Sequence, residues 1–398
     1  MAFCMVKRLF FVLTSLLSFF LASTTFAEQA PTLSSESWIL VDRLTNTRLA
    51  SHNENTKVNP GNSVLLMVIY TAEKLIDEKS MKVSDSIAIN NDALSIPPLN
   101  ASRYYLEPNK SMTVLELIKA VAVMGANDAA IALAEGLSQT VERFVDEMNK
   151  NADQLGMKNT HYTFPIGTND KNQYTSAADT LVLTNALLNE YPSLNDIWTQ
   201  KTLHNGVLQH KNSNALLWRN NSVKGIHSSD FEQKCRTSVI FYSRDFEEGG
   251  TSYSRELIGI IMGDDNLHQH TDNMMKLISW GADNYKTLLI YPANETIERI
   301  SVEGADNAKV RGGVKENLYV TLPRAAILKQ GEKGFSVKLK RLDPLVAPIK
   351  EGEKLGDISV FFNGTEVAHS ELIALHDVQR TTFWDRLLHR VKRFLGLH

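Results

Sequence analysis

Cysteine is almost missing from this sequence. Only Cys4 and Cys235 occur, and Cys4 falls in a segment read below as removed. A chain left with one thiol has no internal disulfide, so core packing must hold it together. Cys235 reads as buried and inert, the usual state of a free cysteine. A surplus of positive charge is missing too: 42 Lys and Arg stand against 45 Asp and Glu. Without a basic field over the body, nucleic acid is excluded as a partner. Internal repeats and low-complexity segments are absent. A subtler absence lies in VNPGNSVLLMVIY, Val58 to Tyr70. A Pro-Gly-Asn turn runs into a long apolar stretch, as a buried helix does behind a reactive loop. Yet the stretch carries no acid, no base and no thiol.

What is present begins with a leader. Lys7 and Arg8 precede the apolar run Leu9–Ala22, and STTFA follows. This is a charged region, an apolar region and a small-residue cleavage site, expected after Ala27. The run is short for a bilayer span, and a retained anchor is the alternative. Setting residues 1–27 aside as a signal peptide leaves 371 residues, with 40 basic and 45 acidic side chains and a net charge of −5. That length suits two domains, each with its own core.

Residues 37–53 read as two strands around a Thr-Asn turn. The apolar stretch after Asn62 turns amphipathic at AEKLIDEK, which predicts a central helix. Met112 to Leu137 reads as two helical runs broken at Gly125-Ala126-Asn127. VERFVDEMNKNADQLGM and ADTLVLTNALLNEYP read as helices, the second ended by Pro192. SVIFYSRD and RELIGIIMGD are strand-like, and MMKLISWGADNYKTL reads as a helix. Strands at both ends of a helical middle predict an α+β domain over residues 28–288. From 289 to 380 short β-rich runs recur between Gly, Asn and Pro, which predicts a small all-β sandwich. In residues 381–398 the apolar Phe383, Trp384, Leu387, Leu388, Val391, Phe394 and Leu395 recur at helical spacing, with Arg386, Arg390, Lys392 and Arg393 mostly on the other face. Such a basic amphipathic helix is expected at a membrane surface; packing on the protein's own body is the alternative.

These segments, in this order, resemble the D-alanyl-D-alanine carboxypeptidases of Gram-negative bacteria, the low-molecular-mass penicillin-binding proteins. The resemblance rests on the hairpin ending in LAS, the turn at Asn59-Pro60, GANDAAIALAEGL, GMKNTHYTFPIG, ALLWRNNSVKGI, and IMGDDN leading to ISWGADNY. It covers nearly the whole chain. It implies a penicillin-binding, β-lactamase-like transpeptidase domain (an α/β sandwich) followed by the β domain and the tail. It also implies a periplasmic enzyme on the outer face of the inner membrane. That enzyme trims the terminal D-Ala from peptidoglycan stem peptides through an acyl-enzyme that penicillins also form.

That chemistry needs a Ser to attack the carbonyl, and a Lys one helical turn later, in S-x-x-K, to take its proton. It needs an S-x-N for proton relay and amide orientation, and a K-T-G strand to receive the substrate carboxylate. Laid on the family, Asn62 stands at the nucleophile position and Leu65 at the Lys. Gly125-Ala126-Asn127 replaces S-x-N, and His227-Ser228-Ser229 replaces K-T-G. A carboxamide cannot form the ester, and a leucine cannot accept a proton. Slipping by one residue makes Ser63 the nucleophile, but Leu66 then follows at the wrong place. No Ser in the chain has a Lys three residues on. Thr71-Ala72-Glu73-Lys74 has the spacing with a Thr, on the following turns of the same helix. Losing nucleophile, base and relay together should abolish acyl transfer.

The same positions have plainer roles. Asn62 is expected to cap the helix, and Leu65 to be core. Asn127 either orients a peptide amide or is a turn residue. His227 either attracts a carboxylate when protonated, forms a new dyad with Ser229, or is a neutral, hydrogen-bonded His, the default. Asn127, His227 and Ser228 are the expected substrate-binding positions. His268 and His270, near Asp264 and Asp265, lack metal-site spacing and read as a solvated loop before the next helix. No cofactor or metal is expected. The sequence thus predicts a carboxypeptidase-fold pseudoenzyme that binds or scaffolds peptidoglycan peptides or cell-wall enzymes. Its rivals are a working carboxypeptidase or amidase with relocated groups such as His227, and a structural module whose β domain carries the interaction.

Overall fold

In the computed structural model the described residues are 29–381, apart from 99–100, 207, 229–235, 249–250, 265 and 306–307. Cys235, Ser229, Asp265 and the amphipathic tail lie outside them. The chain forms two compact units. One is residues 30–293 with 316–321, and the other includes 294–315 and 322–381.

The first unit starts with strands β1 (Ser37–Asp42) and β2 (Thr47–His52). Helix α1 (Val64–Glu78) follows. Every residue from Val64 to Glu73 is buried, because a helix apolar on all sides is stable only when enclosed by others. After the short strands β3 (Ser86–Ala88) and β4 (Ser111–Thr113) comes α2 (Val114–Met124). Its start is set by a reciprocal cap between Thr113 and Glu116, and its end by Gly125 in the left-handed conformation at φ 67°. Helices α3 (Asn127–Ser138), α4 (Val141–Leu155) and α5 (Ala177–Glu190) complete the shell around α1.

The strands β5 (Thr202–His204) and β6 (Gln209–Lys211) form a small hairpin. Then β7 (Val223–Ser228), β8 (Arg236–Glu248) and β9 (Thr251–Asp264) finish an antiparallel sheet of order β2-β1-β9-β8-β7. All six β1 residues are buried, since helices cover the sheet on both sides, giving three layers. Helix α6 (Leu267–Asn284) packs on β9, β8 and β1. A Cβ at Gly281 would meet Leu40 Cδ2 at 2.4 Å, so glycine lets α6 approach the sheet closely. Two sequence expectations change here. The helix starts at Leu267, so His268 and His270 belong to its first turn and not to a solvated loop. And Tyr285-Lys286-Thr287-Leu288 leaves the helix to open strand β10 (Tyr285–Tyr291).

Strands β11 (Glu298–Ser301) and β12 (Lys309–Gly313) belong to the second unit. Strand β13 (Leu318–Pro323) pairs with β10, and the Thr321 and Thr287 hydroxyls lie 3.0 Å apart. Helix α7 (Arg324–Gln330) precedes β14 (Phe335–Arg341), β15 (Lys354–Phe362) and β16 (Thr365–Ala374). The resulting antiparallel sheet, order β11-β12-β16-β15-β14, makes this unit a β domain.

Candidate functional site

The turn before α1 is held by Asn59, not Asn62. Asn59 Oδ1 accepts from the Gly61 N–H at 2.8 Å, and its Nδ2 donates to the Thr168 carbonyl at 2.8 Å. This corrects the expectation that Asn62 caps the helix. Pro60 drives the chain into a 3₁₀ turn, Gly61–Ser63, that runs straight into α1 with no side-chain cap. Asn62 sits inside that turn at 8% exposure, and its Oδ1 has no hydrogen-bond partner among the described residues. The backbone of Gly167, from the GMKNTHYTFPIG segment, lies directly over it. A Cβ there would come within 2.8 Å of Asn62 Oδ1. The hydroxyls nearby are already engaged. Ser63 Oγ donates to the Pro60 carbonyl at 2.7 Å, and Thr237 Oγ1 donates to the same oxygen at 3.1 Å.

One turn along α1, Leu65 is fully buried. A Cβ built on Gly125 would lie 3.7 Å from Leu65 Cδ1 and 3.7 Å from His227 Cε1. Three positions far apart in sequence therefore converge at the end of α2. Asn127 opens α3 at 2% exposure, and its amide donates to the carbonyls of Ser102 and Gly125 at 3.3 Å each. That is a turn-stabilising use of the side chain. His227 is on β7, opposite Val239, and is equally buried. Its Nε2 has no partner among the described residues, and burial pulls its pKa down to about 4. Burial thus disfavours the charged ring and weakens its pull on a carboxylate. Ser228 pairs with Ser238 in the β7–β8 register.

Thr71 is also removed from contention: it is fully buried in α1 and takes a hydrogen bond from Asn151 at 3.1 Å. Glu73, two residues on, has its carboxyl pushed up to about 7 by burial and then by Asp77. Among the described residues no group of His, Cys, Asp or Glu is placed to hold a metal. His268 is exposed. His270 is fully buried, with Nδ1 2.7 Å from Asp264 Oδ2 and Nε2 2.7 Å from Ser238 Oγ. Asp264 also accepts from Ser35 and Asn273. Sequence reasoning placed these residues in a polar loop; the fold turns them into a buried network. It also missed Asp128, beside Asn127, whose carboxylate takes the N–H groups of Tyr104, Tyr105 and Leu106 at 2.9, 2.9 and 3.3 Å. The only sequence signal for it was an acid in the first turn of a helix.

As chemistry, the convergent positions offer an aliphatic side chain, a bare backbone and an imidazole, with the carboxamides of Asn62 and Asn127 on the flanking turns. None is a nucleophile paired with a base.

Comparisons with known proteins agree with this architecture. The sequence profile described as D-alanyl-D-alanine carboxypeptidase matches residues 24–232, more than half of the chain, and that of the penicillin-binding protein 5 C-terminal domain matches 285–380. The D-alanyl-D-alanine carboxypeptidase DacA of Haemophilus influenzae is 27% identical over 387 residues, covering 96% of either chain. DacD of Escherichia coli is 27% identical over 396 residues, covering 96% of this chain and 98% of its own. The crystal structure of penicillin binding protein 5 from Haemophilus influenzae superposes with a TM-score of 0.75 at 25% identity, covering 89% of this chain and all of the other. With its fold, its two domains' profiles and nearly end-to-end relatives in accord, the chain belongs to the D-alanyl-D-alanine carboxypeptidase family of penicillin-binding proteins.

Proposed function

We propose that this chain is a catalytically inactive member of its family that serves peptidoglycan maintenance as a binding or scaffold protein. It is exported and held on the periplasmic face of the inner membrane by residues 381–398. The carrying observation is at α1. Where the resemblance places nucleophile and base stand Asn62 and Leu65, at 8% and 0% exposure. No acyl-enzyme forms without a nucleophile, and none is displaced without a base. The relatives named above are carboxypeptidases by name, which makes stem peptides, or the enzymes that process them, the expected partners.

Burial of Leu65, Asn127 and His227 favours a second emphasis, in which the old cleft contacts no peptide and other surfaces carry the scaffold. Asn127→Ala and His227→Ala separate the two: only peptide binding in the cleft is weakened by them. The inactive reading itself is tested with a fluorescent penicillin followed by intact mass, and with a D-Ala release assay on a pentapeptide. Neither covalent addition nor D-Ala is expected. Addition, mapped to any residue, overturns the reading, and D-Ala release abolished by His227→Ala establishes relocated chemistry instead.

A further inference from the structure

A groove of about 590 Å³ lies between the segment 104–112 and the β5–β6 hairpin, and neither Asn62 nor Leu65 lines it. That volume is in the range of small-molecule sites. One wall is Tyr105, 66% exposed and yet held in the left-handed backbone region at φ 62°. A bulky side chain rarely occupies that region, and strain of this kind persists only where the surroundings impose it. Here they do. The fully buried Asp128 carboxylate takes the three successive N–H groups of residues 104–106. The ring is braced from behind as well, stacking on His210 with centroids 6.4 Å apart and planes at 24°. The result is a rigid aromatic face presented to solvent.

The rest of the lining restricts what fits that face. Glu107 and Lys110 neutralise each other at 2.6 Å, and the Glu116 carboxylate turns back to Thr113. The lining therefore keeps one uncompensated carboxylate, Glu116, which disfavours an anion. It offers an exposed aromatic plane, the apolar Leu208 on the far rim, and carboxylate and hydroxyl groups from Glu107 and Ser111. A neutral polyol with one flat C–H face matches that combination. Its partly positive C–H groups meet the negative face of the Tyr105 ring, and its hydroxyls meet the rim. We propose that this groove is a saccharide-binding subsite with Tyr105 as its stacking platform. It is independent of the acylation reading, since none of its residues takes part there.

The test is calorimetric titration of the mature chain with chitotetraose, a neutral β-linked aminosugar tetramer, and with maltotetraose. Saturable binding of either sugar is expected. Tyr105→Asn should weaken it at least about tenfold, the cost of truncating one central aromatic contact. The same change should not lower the melting temperature, because Asn accepts the left-handed backbone. Tyr105→Phe, which keeps the ring face, should bind within about twofold of the parent. Absence of saturation with both sugars overturns the proposal. So does unchanged binding by Tyr105→Asn, or a loss in Tyr105→Phe as large as in Tyr105→Asn. Penicillin labelling reads none of these, so the two proposals fail separately.

Discussion

At Leu65 a single side chain sits in a closed environment. Leu65→Lys would put an ammonium where the parent residue has no exposure. Without a partner this should cost about 3–5 kcal/mol. Asn62→Ser, by contrast, replaces a side chain with an unpartnered oxygen and should change stability by less than about 1 kcal/mol. Urea unfolding distinguishes them, and penicillin labelling of either should stay blank. Two buried titratable residues set opposite pH slopes. The Glu73 carboxyl rises from 4.5 to about 7 in the folded chain. Between those values the unfolded chain loses the proton while the folded chain keeps it. Stability therefore falls as pH rises through that window, and the penalty is complete above it. Glu73→Gln should gain on the order of 2–3 kcal/mol at pH 8 and nothing at pH 4. His227 falls from 6.5 to about 4 on folding. The folded chain then binds fewer protons, so stability is lost as pH drops from 6.5 toward 4, and His227→Gln should flatten that acid slope. Urea titrations at pH 4, 6 and 8 resolve both.

Between elements, the network around Asp264 matters most. It joins the end of β9 to α6 through His270 and Asn273, and to the incoming N-terminal segment through Ser35. His270 in turn reaches Ser238 on β8. Asp264→Ala leaves these buried donors unpaired and should cost about 2–4 kcal/mol, with earlier amide exchange in the first turns of α6. An equal exchange pattern in parent and variant would show the network to be incidental. Much of the element order was legible beforehand, because each signal was local. The break at Gly125-Ala126-Asn127 separates α2 from α3, and the unbroken apolar run after Asn62 is α1. The early start of α6 was not legible. His268-Gln269-His270 is polar in sequence, but Asn266 caps the helix by accepting from the His268 and Gln269 N–H groups, and His270 packs into the buried network.

For the whole molecule, the two units divide as a helical sheet-bearing body and a β domain. Residues 316–321 return to the first unit, where Thr321 reaches both Thr45 and Thr287. Composition changes at residue 289 could not announce a strand that leaves and comes back. The terminal residues 381–398 carry a prediction about location alone. Deleting them should release the protein into the soluble periplasm and abolish sedimentation with anionic vesicles, leaving the unfolding transition of the body unchanged. Continued co-sedimentation would refute the anchor.

The sequence by itself determined the family, the two-part architecture and which side chains stand where the resemblance places the acylating groups. Those depend on which side chains exist, and no fold turns Asn62 into a nucleophile or Leu65 into a base. The tertiary structure decided what surrounds those positions. It brought Leu65, Gly125 and His227 together, laid Gly167 over Asn62, and spent the Asn127 amide on two backbone carbonyls. It also left Tyr105 exposed on its Asp128 brace. Burial and backbone hydrogen bonding arise from contacts distant along the chain, which residue type and spacing do not encode.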